Sequence, residues 1–115
     1  MVNSKKDRWL DVISEMLQSG NVSIPHGLIT FYKQLNLSER EAMLLIHLLT
    51  FWQHDGKSFP TVHELQERMT MTEEDVIQSL RQLVSKKYIA IVEEVDDHGI
   101  RASRYDFEPL YKKLA

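Results

Sequence analysis

Five histidines, His26, His47, His54, His63 and His98, are the side chains best suited to proton transfer or metal ligation in this 115-residue chain. No two stand four apart, the spacing that would set two imidazoles on one helix face, and no acidic partner completes a zinc pattern. His47 lies in a strongly apolar segment, where a satisfied core or interface imidazole is expected rather than a ligand. His98 falls at a turn between two β-prone runs, where an exposed polar residue is the default. The four glycines, Gly20, Gly27, Gly56 and Gly99, are far apart, so no glycine-rich loop cradles a phosphate. No nucleophile elbow occurs, and the absence of cysteine excludes disulfide and thiolate chemistry. The densest carboxylate cluster, Glu73-Glu74-Asp75, suits the positive end of a helix dipole better than an acid/base pair. The chain is expected to be non-enzymatic, with no cofactor and no metal.

The composition fits a single ordinary globular domain, with 43% hydrophobic residues, 27% charged residues and a net charge of -3. No apolar run is long enough for a signal peptide or a membrane span, and a cytoplasmic home with no membrane contact is the expectation. The acidic balance argues against a dedicated nucleic-acid binder.

Several elements must position these residues. Leu10, Ile13 and Leu17, widened by Trp9 and Met16, predict a first helix over 7–17, stopped by Gly20-Asn21. Asn21 to Ile24 alternates like a short strand before Pro25, and Leu28, Phe31, Tyr32 and Leu35 mark a second helix. Ser38-Glu39-Arg40-Glu41 is a capping box opening a helix through Trp52 that is apolar nearly all round. Ser58-Phe59-Pro60 reads as a short extended piece. Thr61-Val62-His63-Glu64 is a second capping box, for a helix to about Met69. Thr72 caps a third helix, whose firm apolar face is Val76, Ile77, Leu80, Leu83 and Val84. Tyr88–Val92 and Ile100–Phe107 predict a β-hairpin around Asp97-His98-Gly99, followed by a short helix from Glu108 to Leu114. The fold class is therefore mainly α with a small β-hairpin (α+β). It is a winged helix-turn-helix over 38–115 with an N-terminal helix-strand-helix extension over 1–37, in one compact domain.

A winged helix usually reads DNA with its second helix, whose leading edge enters the groove. Here Glu73, Glu74 and Asp75 cancel Arg81, Lys86 and Lys87, with the negative charge at that leading edge. The hairpin adds Glu93, Glu94, Asp96, Asp97 and Asp106 against Arg101 and Arg104. Phosphate contact needs cations that displace counterions, so these surfaces are poorly made for DNA. The extension carries Trp9, Leu10, Ile13, Val22, Ile24, Phe31 and Tyr32. Enlarging one core is the plainer use for these residues, and self-association is the sharper one, because an unpaired strand at 21–24 invites a second chain.

With these pieces placed, the chain resembles the N-terminal domain family of DnaD, a primosomal protein of replication initiation and restart. The carriers are Ser23-Ile24-Pro25 leading to Leu28-Ile29-Thr30-Phe31-Tyr32-Lys33-Gln34-Leu35, then Phe59-Pro60-Thr61 leading to Leu65-Gln66-Glu67. Tyr88 to Glu94 and Tyr105 to Leu110 complete the likeness. The resemblance implies an oligomerisation extension, forming a homodimer or homotetramer, on a winged-helix scaffold. It also implies contact with the initiator DnaA and with helicase co-loader proteins. In that family the main DNA-binding activity lies in a separate C-terminal domain, so this chain is expected to be a fragment with little or no DNA binding of its own.

Edge logic and family architecture together give the candidate sites. Trp9, Leu10, Ile13, Val22, Ile24 and Phe31 are expected to carry self-association. Glu74, Gln78, Arg81, Tyr88 and Glu94 are expected to dock a partner. The rival is a winged-helix DNA-binding transcriptional regulator, which would need a basic stripe built from Lys5, Lys6, Arg8, Arg81, Lys86, Arg101 and Arg104.

Overall fold

The computed structural model describes residues 5–115, with side chains from Arg8 onward. The elements are α1 (Lys5–Ser19), α2 (His26–Phe31), α3 (Glu39–Gln53), α4 (Val62–Arg68), α5 (Glu73–Ser85), β1 (Ala90–Val95), β2 (Arg101–Asp106) and α6 (Glu108–Leu114). Mainly α with one antiparallel hairpin, this is the expected α+β class, and α3, α4, α5 and the hairpin follow the order of a winged helix.

Local chemistry sets the helix starts. Ser38 Oγ accepts from the Glu41 N–H while the Glu41 carboxylate accepts from the Ser38 N–H, at 3.1 and 2.9 Å. Thr61 and Glu64 repeat this at α4, and Thr72 Oγ1 accepts from the Asp75 N–H at 3.1 Å. The end of α5 is equally specific. Tyr88 N–H donates to Leu83 C=O and Lys87 N–H to Val84 C=O, a Schellman closure that puts Lys87 in the left-handed region at φ 63°. That turn swings Tyr88 and Ile89 into the core, and the paired strand begins only at Ala90. A side chain other than glycine is strained at such a position. Lys87→Gly is therefore expected to raise stability by about 0.5–1 kcal/mol, read as a shift of the chemical-denaturation midpoint with unchanged slope.

One core is formed by Leu44, Leu45, Leu48 and Leu49 of α3, Leu65 of α4, Val76 and Leu83 of α5, and Ile89, all at 1% exposure or less. It extends at both ends of the chain. Leu28 of α2 and Leu110 of α6 are fully buried, and Leu114 lies against Gly27, where an added Cβ would sit 3.3 Å from its Cδ2. In β1 and β2, Ala90 to Val95 pair in register with Asp106 to Arg101. Ser58 adds a single hydrogen bond to this sheet, its carbonyl accepting from Tyr105 N–H at 2.9 Å.

One expectation needs correction here. No strand forms over 21–24, because the Gln53 side chain takes the place of a strand partner. Its carbonyl accepts from Ser23 N–H and its amide donates to Ser23 C=O, both at 2.8 Å. Ser23 thus leaves no open edge for a second chain. On the nearly all-round apolar α3, Met43 and Trp52 each remain 48% exposed.

Candidate docking surfaces

Two surfaces stand out once the core is assigned. The first is α1. Every described side chain from Arg8 to Ser19 is exposed, including Trp9 at 66%, Leu10 at 59% and Ile13 at 42%. The helix stands off the body, and the Cα radius of gyration is 17.6 Å. A compact chain of this length would have about 13 Å. Trp9, Leu10, Ile13, Met16 and Leu17 share one side of this helix, with Asp11 and Glu15 on the other. Monomeric proteins rarely leave so wide an apolar stripe in water.

The remaining residues expected to self-associate do not join it. Val22 and Ile24 are half-buried, Ile24 packing against the core, while Phe31 is 49% exposed on α2. Val22 and Ile24 flank Ser23, where Gln53 holds the connector to the body rather than leaving it as an edge.

The second surface runs along α5 and the hairpin. Val62, Ile77, Leu80, Val84, Ile91 and Tyr105 line an apolar groove of about 380 Å³, with Arg81 at its rim. Ile91 is 52% exposed, and Phe59, stacked on Tyr105 at 4.6 Å between centroids, is 42% exposed. Glu74, Gln78 and Arg81 are exposed on α5. Tyr88 is not among them. It is 4% exposed, its hydroxyl donates to Leu35 C=O, and Lys113 lies over its ring, so it closes the core instead. Burial pushes the Tyr88 phenol up. Glu94 is exposed but engaged, accepting from Arg104 Nε at 2.6 Å.

Ile77, Val84 and Ile91 escaped the sequence-based list of docking residues. The signal was present, because Ile77 and Val84 sit one residue beyond Val76 and Leu83 and widen the apolar arc of α5 past what one core can cover.

The charges of α5 and the hairpin are mixed, with Arg81 exposed at the groove and Lys87 exposed at the end of α5. Arg104 also approaches Asp106 at 3.7 Å, and Arg101 reaches Glu93 at 4.0 Å, so both hairpin arginines have carboxylate neighbours. Glu94 and Asp106 hold the Arg104 guanidinium still more firmly protonated. Asp75 lies 3.4 Å from Arg40, while Glu73 and Glu74 are exposed at the start of α5. Lys5 and Lys6, two members of the stripe a DNA reader would need, have side chains outside the described residues. Lys86 is committed to Glu41 and Asn36, which removes a third member.

His47 is partly buried on α3, and burial, helped by Arg68, holds its imidazole below the ordinary value. Among the described residues no group of three or more histidine or acidic side chains could hold a metal ion. No described helix is long and apolar enough to cross a membrane.

A family model described as the DnaD N-terminal domain matches residues 24–115. The chain is 36% identical over 110 residues to the replicative helicase loading and DNA remodeling protein DnaD of Bacillus subtilis (strain 168). That match takes in 96% of this chain but 45% of that protein, so the chain spans less than half the length of this curated relative. Among solved structures, the N-terminal domain of DnaD from Geobacillus kaustophilus HTA426 superposes with a TM-score of 0.71 at 34% identity. That superposition covers 98% of this chain and 87% of the other.

Proposed function

The chain belongs to the DnaD N-terminal domain family, and from that premise we propose that it is a non-enzymatic oligomerisation and docking scaffold of DNA replication initiation and restart. The relative's activity is named as helicase loading and DNA remodeling, and this chain would serve the same process in the cytoplasm. Its partners would be further copies of itself, as a homodimer or homotetramer, together with the initiator DnaA and helicase co-loader proteins. The observation that carries the reading is the apolar face of α1, exposed along its whole described length.

Assembly is assigned to α1, because α2 and Leu37 already belong to the body's core. Partner docking is assigned to the α5–hairpin face, with Arg81 at the groove formed by Ile77, Val84 and Ile91 and with Glu74 and Gln78 beside it on α5, while Glu94, three residues from Ile91, falls on the opposite face of the strand. Apolar floor and charged rim are the usual anatomy of a protein interface.

Light scattering coupled to size exclusion tests the first assignment. Self-association at tens of micromolar is expected, and a strict monomer across that range would refute it. For the second, Val84→Asp is expected to weaken partner capture at least about tenfold, as loss of a central apolar contact does. Its thermal stability should stay close to that of the parent, because Val84 is 37% exposed. Little DNA binding is expected. Tight binding that falls steeply with salt in an electrophoretic titration would favour a DNA reader instead.

A further inference from the structure

The link between α1 and the body is built by two adjacent residues at the end of α3. Gln53 holds both polar groups of the Ser23 backbone at 2.8 Å, and His54 Nε2 lies 2.7 Å from Ser19 C=O, at the last residue of α1. Between them the chain turns at Gly20, where φ is +94° and the His54 ring would meet an added Cβ at 3.5 Å. The other ring nitrogen of His54, Nδ1, lies 3.1 Å from Asp55 Oδ1. Asp55 is in turn bound by Arg68 at 2.7 Å, and Arg68 sits over the Phe51 ring.

Both atoms facing the imidazole, a carbonyl oxygen and a carboxylate oxygen, can only accept. A neutral imidazole donates from one nitrogen only, so one of the two contacts would then set lone pair against lone pair. Only the imidazolium satisfies both.

We propose that Gln53 and His54 form a clamp that fixes the direction in which α1 leaves the body, and that the His54 half opens when the imidazole loses its second proton. This rests on the reading of α1 as the assembly helix, since the direction of α1 decides whether its apolar face can meet that of a second copy.

The charged groups facing His54 are Asp55 from the turn after α3 and Arg68 from α4, while α1 contributes the Ser19 carbonyl. The Ser19 hydrogen bond, then the Asp55 hydrogen bond and charge, raise the His54 pKa above its ordinary value, against burial and Arg68. A raised histidine pKa means the paired contacts to Ser19 and Asp55 are both complete below the ordinary value, and that pairing is lost as pH rises through the raised one. Gln53 does not titrate, so its half of the clamp persists.

The test reads the direction of α1 inside one chain. The protein has no cysteine, so nitroxide labels at Ser14→Cys and Gln82→Cys are specific. Dilution into excess unlabelled protein leaves only the intramolecular distance. Measurements at about pH 5.5 and about pH 8.5 bracket the ordinary histidine value. The unsubstituted background is expected to give one narrow distance at the lower pH and a broader distribution at the higher. His54→Ala should lose the narrow distance at both pH values, with its thermal midpoint unchanged. Gln53→Ala should broaden both distributions while keeping the pH response. A narrow distance in His54→Ala at the lower pH, or no pH response in the parent, would overturn the clamp. Light scattering on the same samples separates the two ideas: a monomer with a narrow, pH-sensitive distance would sink the assembly reading and leave the clamp standing.

Discussion

Lys86→Met is expected to destabilise the protein by about 3 kcal/mol, the usual cost of stripping the partner from a buried charge. For a domain of this size that is a fall in thermal midpoint of roughly 10 °C. Glu41 is 2% exposed, and the Lys86 ammonium lies 3.1 and 3.0 Å from its two carboxylate oxygens while also donating to Asn36 C=O at 3.0 Å. One cation therefore ties the start of α3, the turn before it and the end of α5.

The pH dependence follows from the same geometry. Burial alone would raise the Glu41 pKa, but the hydrogen bonds from Ser38 and Lys86 hold it below the ordinary glutamate value. A depressed carboxylate contributes stability above its ordinary pKa that disappears as pH falls through the depressed one. Without Lys86, desolvation is opposed only by the Ser38 hydrogen bonds, and protonating Glu41 relieves part of the stranded charge. The gap between Lys86→Met and the parent should thus narrow on acidification, as measured by urea unfolding at a series of pH values. Glu41→Gln combined with Lys86→Met should recover part of the loss. A single variant within about 0.5 kcal/mol of the parent, the range of an ordinary surface substitution, would show that the pair is not structurally important.

Ile13→Asp should have the largest effect on assembly and a small one on the body. Ile13 lies near the middle of the apolar face of α1 and is 42% exposed, so the core does not depend on it. Burying such a side chain in an interface contributes about 2–3 kcal/mol, and a carboxylate there adds a desolvation cost. The dissociation constant should rise by at least about thirtyfold, since each 1.4 kcal/mol is tenfold. An isolated helix of this length is marginal in water, so the dissociated variant should also lose helical circular dichroism from α1. Sedimentation at matched concentrations reads the first effect. An unchanged assembly would move the interface away from α1.

Much of the body could be read from local sequence because its boundaries are made by local chemistry. The capping boxes at Ser38 and Thr61 and the cap at Thr72 involve residues three apart, and each forms as expected. The strand at 21–24 failed for the opposite reason. Alternating Asn21-Val22-Ser23-Ile24 satisfies the strand pattern, but the partner of Ser23 is a side chain 30 residues away. Tyr88 was misplaced because its burial depends on the left-handed turn at Lys87, a conformation that lysine does not signal. The apolar stripe of α1 was legible. That it stands clear of the body was not, because periodicity says which face is apolar and not what covers it.

The packing of Leu110 and Leu114 next to α2 has a consequence for how the protein is made. Leu28 of α2 is made early among the core residues, and Leu114, which lies against Gly27 beside it, is made late among them. A nascent chain halted after β2 would carry α3 with its leucines partly roofed and α2 without its counterpart. The part of the core that α2 and α6 share therefore closes only once α6 has emerged. Until then the exposed α1 stripe and the unfinished core are both open to neighbouring nascent chains, the circumstance in which misassembly and chaperone capture begin.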